Sequence, residues 1–472
     1  MKSVVILLVF ICFSFLKLNS QEQVLSFKNE VLSKRMSKDS YTLSNAINSD
    51  LAVVIIERKE VFAYLFDSSF KQKSVIKTKN IKAKYNKALG YSINNNLYNV
   101  LYTNENRNKF SILSLDFNTL NGTSKEIDID FGYDLFLDTV NYNNKLYLLS
   151  ANDDSEITIR LFDKDSNVKI LKTFTLDEIS DDTNLLGSKI SFGSFLFAGE
   201  EVSNITKIDR RVPSAIEQTS NENKMYQDGK SIYLTFDVNE TSTLVYTIDL
   251  ESLNLSLNAI PYPKADIKPF KKFNSFLYKD KLYQIASSKE DMKFAINTLD
   301  GKLIKEFYVN REQAITIKNS PIIQEGATAL PFVTKRELEE TKKYLRKISS
   351  GQLGLTVIEQ DNAYYITLGG FKVAYNSSPM MVTSANGNFV GFNTTYASYS
   401  GYAITKSTYF NSIFDLDFNH KKGSFKENVF DKIKAYKETL KYITAEDVFF
   451  HSNTLYFGYF NQKESEYNLV KF

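Results

Sequence analysis

A short unit recurs along this 472-residue chain and limits what it can fold into. A turn of Asn, Asp, Lys or Gly is followed at once by an apolar strand that carries a tyrosine. The copies are NNNLYNVLY (Asn94–Tyr102), NNKLYLLS (Asn143–Ser150), DGKSIYLTF (Asp228–Phe236), KDKLYQIA (Lys279–Ala286), DNAYYITL (Asp361–Leu368) and SNTLYFGYF (Ser452–Phe460). In five places an apolar strand then runs into an aspartate, at Asp67, Asp116, Asp163, Asp249 and Asp300. Where both parts are present the tyrosine-to-aspartate distance is 18, 16, 16 and 17 residues, so the unit keeps its register.

The spacing between units selects the fold class. Tyr98 to Tyr147 is 49 residues and Tyr233 to Tyr283 is 50, the period of a four-stranded blade in a β-propeller, roughly 40 to 50 residues. The longer gaps, 86 residues from Tyr147 to Tyr233 and 82 from Tyr283 to Tyr365, require an extra blade or an insertion. Asp-Gly at 228–229 and 300–301 and Asn-Gly at 386–387 are hairpin signals, so the strands are joined as antiparallel meanders. A sheet with two apolar faces cannot bury them alone, and a ring of such sheets buries all but its rims. Hairpins fall near residues 49, 95, 144, 228, 280, 361, 387 and 453, and those at 361 and 387 are too close for two full blades. The expectation is therefore an all-β, seven-bladed β-propeller of four-stranded antiparallel sheets. Six or eight blades are the neighbouring counts, and tandem β-sandwiches are the alternative architecture.

The chain's first residues read as an export signal. Lys2 precedes an apolar run from Val4 to Leu16, then Lys17 and the small polar exit Leu18-Asn19-Ser20. Thirteen helical residues reach roughly 20 Å, short of the roughly 30 Å of bilayer hydrocarbon. Cys12 lies inside the apolar core, away from where a lipid anchor would attach. Residues 1–20 are expected to be a signal peptide and residues 21–472 one propeller domain, secreted or periplasmic. Without Lys2 and Lys17 the 58 basic residues become 56 against 55 acidic ones, and no cysteine remains. That balance gives no footprint for nucleic acid, and disulfides and thiol chemistry are excluded. The last unit stops 16 residues after Tyr456, one strand short of a blade. An open sheet edge is a liability, so the segment Gln23–Leu32 is expected to supply the missing outer strand and close the ring.

Two stretches break the strand rhythm. TKRELEETKKYLRKIS (334–349) opens with the pattern of a capping box at Thr334 and Glu337, and Ser424 with Glu427 begins a second stripe reaching Ile443. Both are expected to be amphipathic helices laid over a blade or rim, near 334–349 and 424–443.

The search for chemistry returns mainly absences. There is no tryptophan, and the two histidines, His420 and His451, lie in stretches that read as turns. No phosphate-binding glycine loop follows a strand, and neither a cofactor nor a metal site is expected. The unit aspartates sit beside turns, where such a side chain commonly bonds its own backbone. The weak binding candidates are Tyr396, Tyr399 and Tyr402, in a stretch where tyrosines alternate with small polar residues, and the neighbouring Arg210 and Arg211. No residue is assigned a catalytic role.

These units resemble the blades of the β-propeller superfamily, without the Trp-Asp of WD40 blades or the paired glycines of kelch repeats. The abundance of Lys, Asn, Ile, Phe and Tyr, with a signal ending in NSQ, resembles secreted proteins of low-G+C Bacteroidetes. The expected function is a secreted, monomeric, non-catalytic propeller that binds an extracellular or periplasmic protein or glycan, with no integral membrane span. The alternative is a carboxylate-dependent glycan hydrolase or lyase on the same scaffold.

Overall fold

The computed structural model describes residues 21–29, 38–57, 60–79, 81–162, 167–176, 205–266, 268–326, 335–373 and 405–472. Residues 1–20, read above as a signal, lie outside them. β1 (Glu22–Lys28) comes first, followed by blade 1, formed by β2 (Lys38–Ser44), β3 (Leu51–Glu57), β4 (Glu60–Phe66) and β5 (Gln72–Lys79). Blade 2 is β6 (Lys87–Asn94), β7 (Leu97–Thr103), β8 (Phe110–Asp116) and β9 (Asn121–Ile127), and blade 3 is β10 (Leu135–Tyr142), β11 (Lys145–Ala151), β12 (Glu156–Phe162) and β13 (Val168–Thr175). Blade 4 begins with β14 (Thr206–Lys207) and a single helical turn, α1 (Ile216–Thr219), then β15 (Asn223–Asp228), β16 (Ser231–Phe236), β17 (Ser242–Asp249) and β18 (Asn254–Pro261). Blade 5 is β19 (Lys272–Tyr278), β20 (Lys281–Ser287), β21 (Asp291–Thr298) and β22 (Leu303–Asn310). Blade 6 contains β23 (Ile322–Gly326), β24 (Lys335–Leu338), β25 (Gln352–Gln360), β26 (Ala363–Val373) and β27 (Thr405–Phe414), with α2 (Thr341–Ile348) before β25. After α3 (Val429–Thr439), blade 7 is built from β28 (Ile443–His451), β29 (Thr454–Asn461) and β30 (Glu466–Lys471).

Alternation along each strand explains why the sheets form a ring. Successive side chains point to opposite faces. In β3, Leu51, Val53 and Ile55 pack with Phe449, Tyr456 and Tyr467 of blade 7, whereas Ala52 and Val54 pack with Tyr98 and Val100 of blade 2. In β7, Tyr98 and Val100 face blade 1, and Leu101 joins Leu146 and Leu148 of blade 3. Blades 3 and 4 share Leu149 and Leu234, and one core runs through blades 4, 5 and 6 by way of Val245, Phe294 and Ile366. The fold is an all-β, seven-bladed β-propeller, not a pair of sandwiches. Five blades have four strands and two, blades 4 and 6, have five.

The recurring sequence unit has a direct structural meaning. Each repeated tyrosine lies on the strand that pairs with β6, β10, β15, β19, β25 or β28 in its blade. The described aspartates close the third strand or open the turn that follows it. Asp67 accepts hydrogen bonds from Ser69 N and Lys71 N at 2.9 and 3.0 Å, Asp116 from Asn118 N at 2.9 Å, and Asp249 from Glu251 N and Ser252 N at 2.9 and 2.8 Å. Backbone donation holds these carboxyls below the usual range. Asp163 lies outside the described residues.

Among the described residues the two long gaps add no further blade. In blade 6 the spatial order is β25-β26-β27-β23-β24, so its outer strands come first in the chain. The chain leaves blade 5 from its outer strand, makes the β23–β24 hairpin beside it, and returns inward through α2. That helix starts at Thr341, later than the capping-box reading: Glu337 lies in β24, paired with Ile323 of β23, so it is not in a helical turn, and Thr334 lies outside the described residues. Its apolar side, Tyr344, Leu345 and Ile348, is fully buried, and Tyr344 OH donates to Leu368 O at 3.1 Å. α3 is also shorter than read. Its box is Asn428 with Asp431, because Asn428 accepts from Phe430 N and Asp431 N while Asp431 accepts from Asn428 N. Phe430 and Ile433 of α3 cover Val448, Phe457 and Val470 of blade 7 and touch Ile358 of blade 6, so a helix fills the seam between those two blades.

β1 is the outermost strand of blade 7. It pairs antiparallel with β30, from Glu22 opposite Lys471 to Lys28 opposite Glu466. Phe27 seats this strand, its ring centroid lying 4.4 Å from Tyr64, 5.1 Å from Phe66 and 5.5 Å from Tyr467, so one side chain joins β1 to both blade 1 and blade 7. Residues 30–32 of the proposed closing segment lie outside the described residues. The Phe27→Ala variant removes a half-buried ring, with an expected loss of about 2 kcal/mol on the scale of core aromatic truncations. It should lower the thermal unfolding midpoint measured by circular dichroism, and removal of residues 22–28 should lower it further. An unchanged midpoint in both variants would show that β1 contributes nothing to closure.

Candidate functional site

The innermost strands of the seven blades are β2, β6, β10, β15, β19, β25 and β28. Blade 4 adds one more element to its inner edge. β14 runs parallel to β15, with Thr206 opposite Lys224 and Lys207 opposite Met225, and Ile208 N continues the ladder to Met225 O at 2.8 Å. The segment from Ile208 to Ser214 then lies within the channel, its residues lining cavities on both sides. It ends in α1, which rests on β25 where Gly354 allows close approach: a Cβ there would stand 2.7 Å from Ile216 O.

The cavity on one side, about 240 Å³, mixes polar and apolar walls and is bounded by blades 1, 2, 3, 4 and 7. Its floor holds Arg211, whose Nε lies 3.0 Å from each carboxylate oxygen of Asp209. Burial opposes both charges, yet mutual attraction and hydrogen bonding hold Asp209 below its ordinary range and Arg211 above. Asp447, on β28, is 3% exposed, and burial pushes its carboxyl up to about 6 against the pull of Arg211. Tyr41 and Tyr91 complete the walls. Over this half Asn144 Nδ2 donates to Asn45 Oδ1 at 2.8 Å and ties the turns of blades 3 and 1 together.

The other cavity, about 310 Å³, is mainly apolar and bounded by blades 4 to 7. Its walls include Ile208, Val212, Phe276, Val357, Ile358 and Phe430. Two ion pairs stand among its lining groups near the short turns: Arg210 with Asp228 at 2.8 Å and Lys279 with Glu359 at 2.6 Å. Both arginine and lysine are about half exposed, so the pairs are weak and open to exchange. Phe450, 41% exposed, lines both cavities beside them.

Of the residues singled out from sequence, Arg210 and Arg211 therefore lie in the channel, both paired with carboxylates. Tyr396, Tyr399 and Tyr402 lie outside the described residues. His451, read as a turn residue, ends β28 at 3% exposure, with Nδ1 2.8 Å from Ser44 Oγ, and burial lowers its basicity. His420 Nε2 lies 2.8 Å from Asn319 Oδ1. Among the described residues no group of three or more His, Cys, Asp or Glu is placed to hold a metal ion, and no helix is long and apolar enough to cross a membrane. Sequence reasoning missed Asp447, Phe450 and the runs Phe276–Lys279 and Thr356–Glu359. The available signal was positional: Asp228, Lys279, Glu359 and Phe450 each lie at or just before the first turn of their unit, and a ring brings those positions to one rim.

No family model matches the chain, and no curated protein matches its sequence. Among solved structures, a mutant of the Synechocystis apocarotenoid oxygenase is 8% identical, with a TM-score of 0.27 over 59% of this chain and 64% of that one. The cobalt-substituted form of the enzyme is 9% identical, with a TM-score of 0.28 over 59% of this chain and 62% of that one. A structure from a study of two prolyl endopeptidases is 8% identical, with a TM-score of 0.30 over 90% of this chain and 47% of that one. In each case the chain spans less than two thirds of the other protein's length. Likeness at this level carries no inference about activity, and the propeller assignment rests on the sheets themselves.

The raised Asp447 has a consequence for stability. Its folded value of about 6 exceeds the ordinary 3.8, so the folded state is penalised once the unfolded carboxyl ionises, and the penalty is complete above pH 6. Asp447→Asn removes it. The variant should gain about 2 kcal/mol more relative to wild type at pH 7.5 than at pH 4.5, seen in paired denaturant titrations. A gain independent of pH would contradict this placement of the carboxyl.

Proposed function

We propose that this protein is an exported, non-catalytic β-propeller that binds a protein or glycan partner, and that the partner docks over the apolar chamber. One observation carries the reading: a chamber of about 310 Å³ with mainly apolar walls lies beside two exposed ion pairs in a channel crossed by the Ile208–Ser214 segment. A concave apolar site with a few charged groups at its edge is the usual form of a binding site. Phe450, aromatic and 41% exposed at this chamber, has the character of a binding hot spot.

The fluorescent apolar anion 1-anilinonaphthalene-8-sulfonate provides a first test on residues 21–472. Saturable binding that weakens about tenfold in Phe450→Ala, with an unchanged unfolding midpoint, supports the chamber as the site. Binding that is absent, or indifferent to the substitution, overturns it.

A glycan hydrolase or lyase is the second reading, favoured by the more polar chamber. Asp209 is held ionised by Arg211 while Asp447 is pushed up to about 6, and divergent carboxyls of this kind can divide acid and base roles. Sugar release abolished by both Asp447→Asn and Asp209→Asn would favour it. No release across a polysaccharide panel would remove it.

A further inference from the structure

The apolar chamber is lined by consecutive residues from three inner strands: Tyr226, Gln227 and Asp228 of β15, Phe276 to Lys279 at the end of β19, and Thr356 to Glu359 of β25. Side chains of neighbouring residues point to opposite faces of a strand. A cavity touched by every residue of a run is therefore bounded by the strand's edge. Among the described residues, β19 pairs only with β20 and β25 only with β26, so both turn an unladdered edge toward the channel. An open edge is a template for another strand.

The molecule already uses this template once. β14 adds in parallel to the inner edge of β15, and the ladder stops at Met225, just before the three β15 residues that line the chamber. The edge of β25 is covered by α1 near Gly354, whereas Thr356 to Glu359 lines the chamber. Four residues of strand span about 13 Å at 3.3 Å each, room for a short extended segment. The nearby charges alternate along the lip: Arg210 and Asp228 at blade 4, Lys279 at blade 5, Glu359 at blade 6.

Resting on the binding reading above, we infer that the occupant of the apolar chamber is an extended peptide segment of a partner protein. Its backbone hydrogen-bonds along one of the inner-strand edges of blades 4 to 6, and an apolar side chain fills the space between Val212, Phe276, Val357 and Phe430. Backbone pairing supplies affinity and the side-chain pocket supplies selection, as in other strand-addition complexes. A glycan fits less well because, apart from Glu359 N, which already donates to Tyr278 OH at 3.2 Å, the edges offer backbone donors and acceptors, and the wall between them is apolar.

The test uses residues 21–472 with a phage-displayed random heptapeptide library and, in parallel, a glycan array. The expected result is enrichment of peptides with a central apolar or aromatic residue. Synthetic versions should bind in calorimetry, weaken at least tenfold against Phe450→Ala, and lose binding when alternate backbone nitrogens are N-methylated. N-methylation is made on the peptide, so no folding defect of the protein can mimic the loss. Tight peptides indifferent to N-methylation at every position would overturn strand addition while leaving the chamber as a binding site. Glycan-array binding without peptide enrichment would overturn the peptide occupant. If neither library nor 1-anilinonaphthalene-8-sulfonate binds, the chamber reading itself fails, and this inference with it.

Discussion

Every blade of this protein is apolar on both faces, and the rest of the structure follows from that constraint. A sheet such as β3, with Val53 on one side and Val54 on the other, both fully buried, needs a neighbour on each flank. Burial at about 25 cal/mol per Å² of apolar surface is lost wherever a flank is left open. A ring satisfies the requirement without end blades. Two seams need extra devices: β1 completes the edge of blade 7 beside blade 1, and α3 fills the space between blades 6 and 7. The seam between blades 4 and 5 is specified by polar contacts as well. Fully buried Lys224 lies 3.0 Å from Asp237, whose carboxylate also accepts from Thr243, Tyr262 and Ser275, and Lys224 reaches Asn274 of blade 5. A buried pair with its remaining valences filled fixes register more than it adds stability.

The same geometry produces the channel. Stacking buries faces, but among the described residues the inner strands other than β15 keep one edge without a laddered neighbour. The chain answers this in two ways. Over blades 1 to 4 it crosses the channel with polar ties, including Asn144 to Asn45 and Gln227 Nε2 to Asn141 O. Over blades 4 to 6 it leaves strand edges beside an apolar space. The crossing segment separates the two, with Arg211 on the more polar side and Arg210 reaching both.

Much of the architecture was legible in the sequence because it is written locally. The tyrosine strand, its turn and the aspartate that caps the following turn all lie within 23 residues, and each has a direct hydrogen-bonding or packing reason. The helix starts were misread because Thr334 and Glu337 satisfy a local pattern that pairing with β23 overrides. Asn428 was passed over for Ser424 although both precede an acidic residue three positions on. The strand order of blade 6 was not legible, since it depends on which outer strand lies nearest in space. Of the site, only Arg210 and Arg211 were singled out. Asp447, Phe450 and the edge residues come from four different blades, and only ring closure brings them to one channel.

Hydrogen–deuterium exchange of the protein with and without a bound partner tests the central claim that the unladdered inner edges are the recognition surface. The account predicts new amide protection in segments covering Tyr226–Asp228, Phe276–Lys279 or Thr356–Glu359, with the outer strands β18 and β22 unchanged. Protection confined to the outer strands, or to the face opposite the short turns, would contradict it.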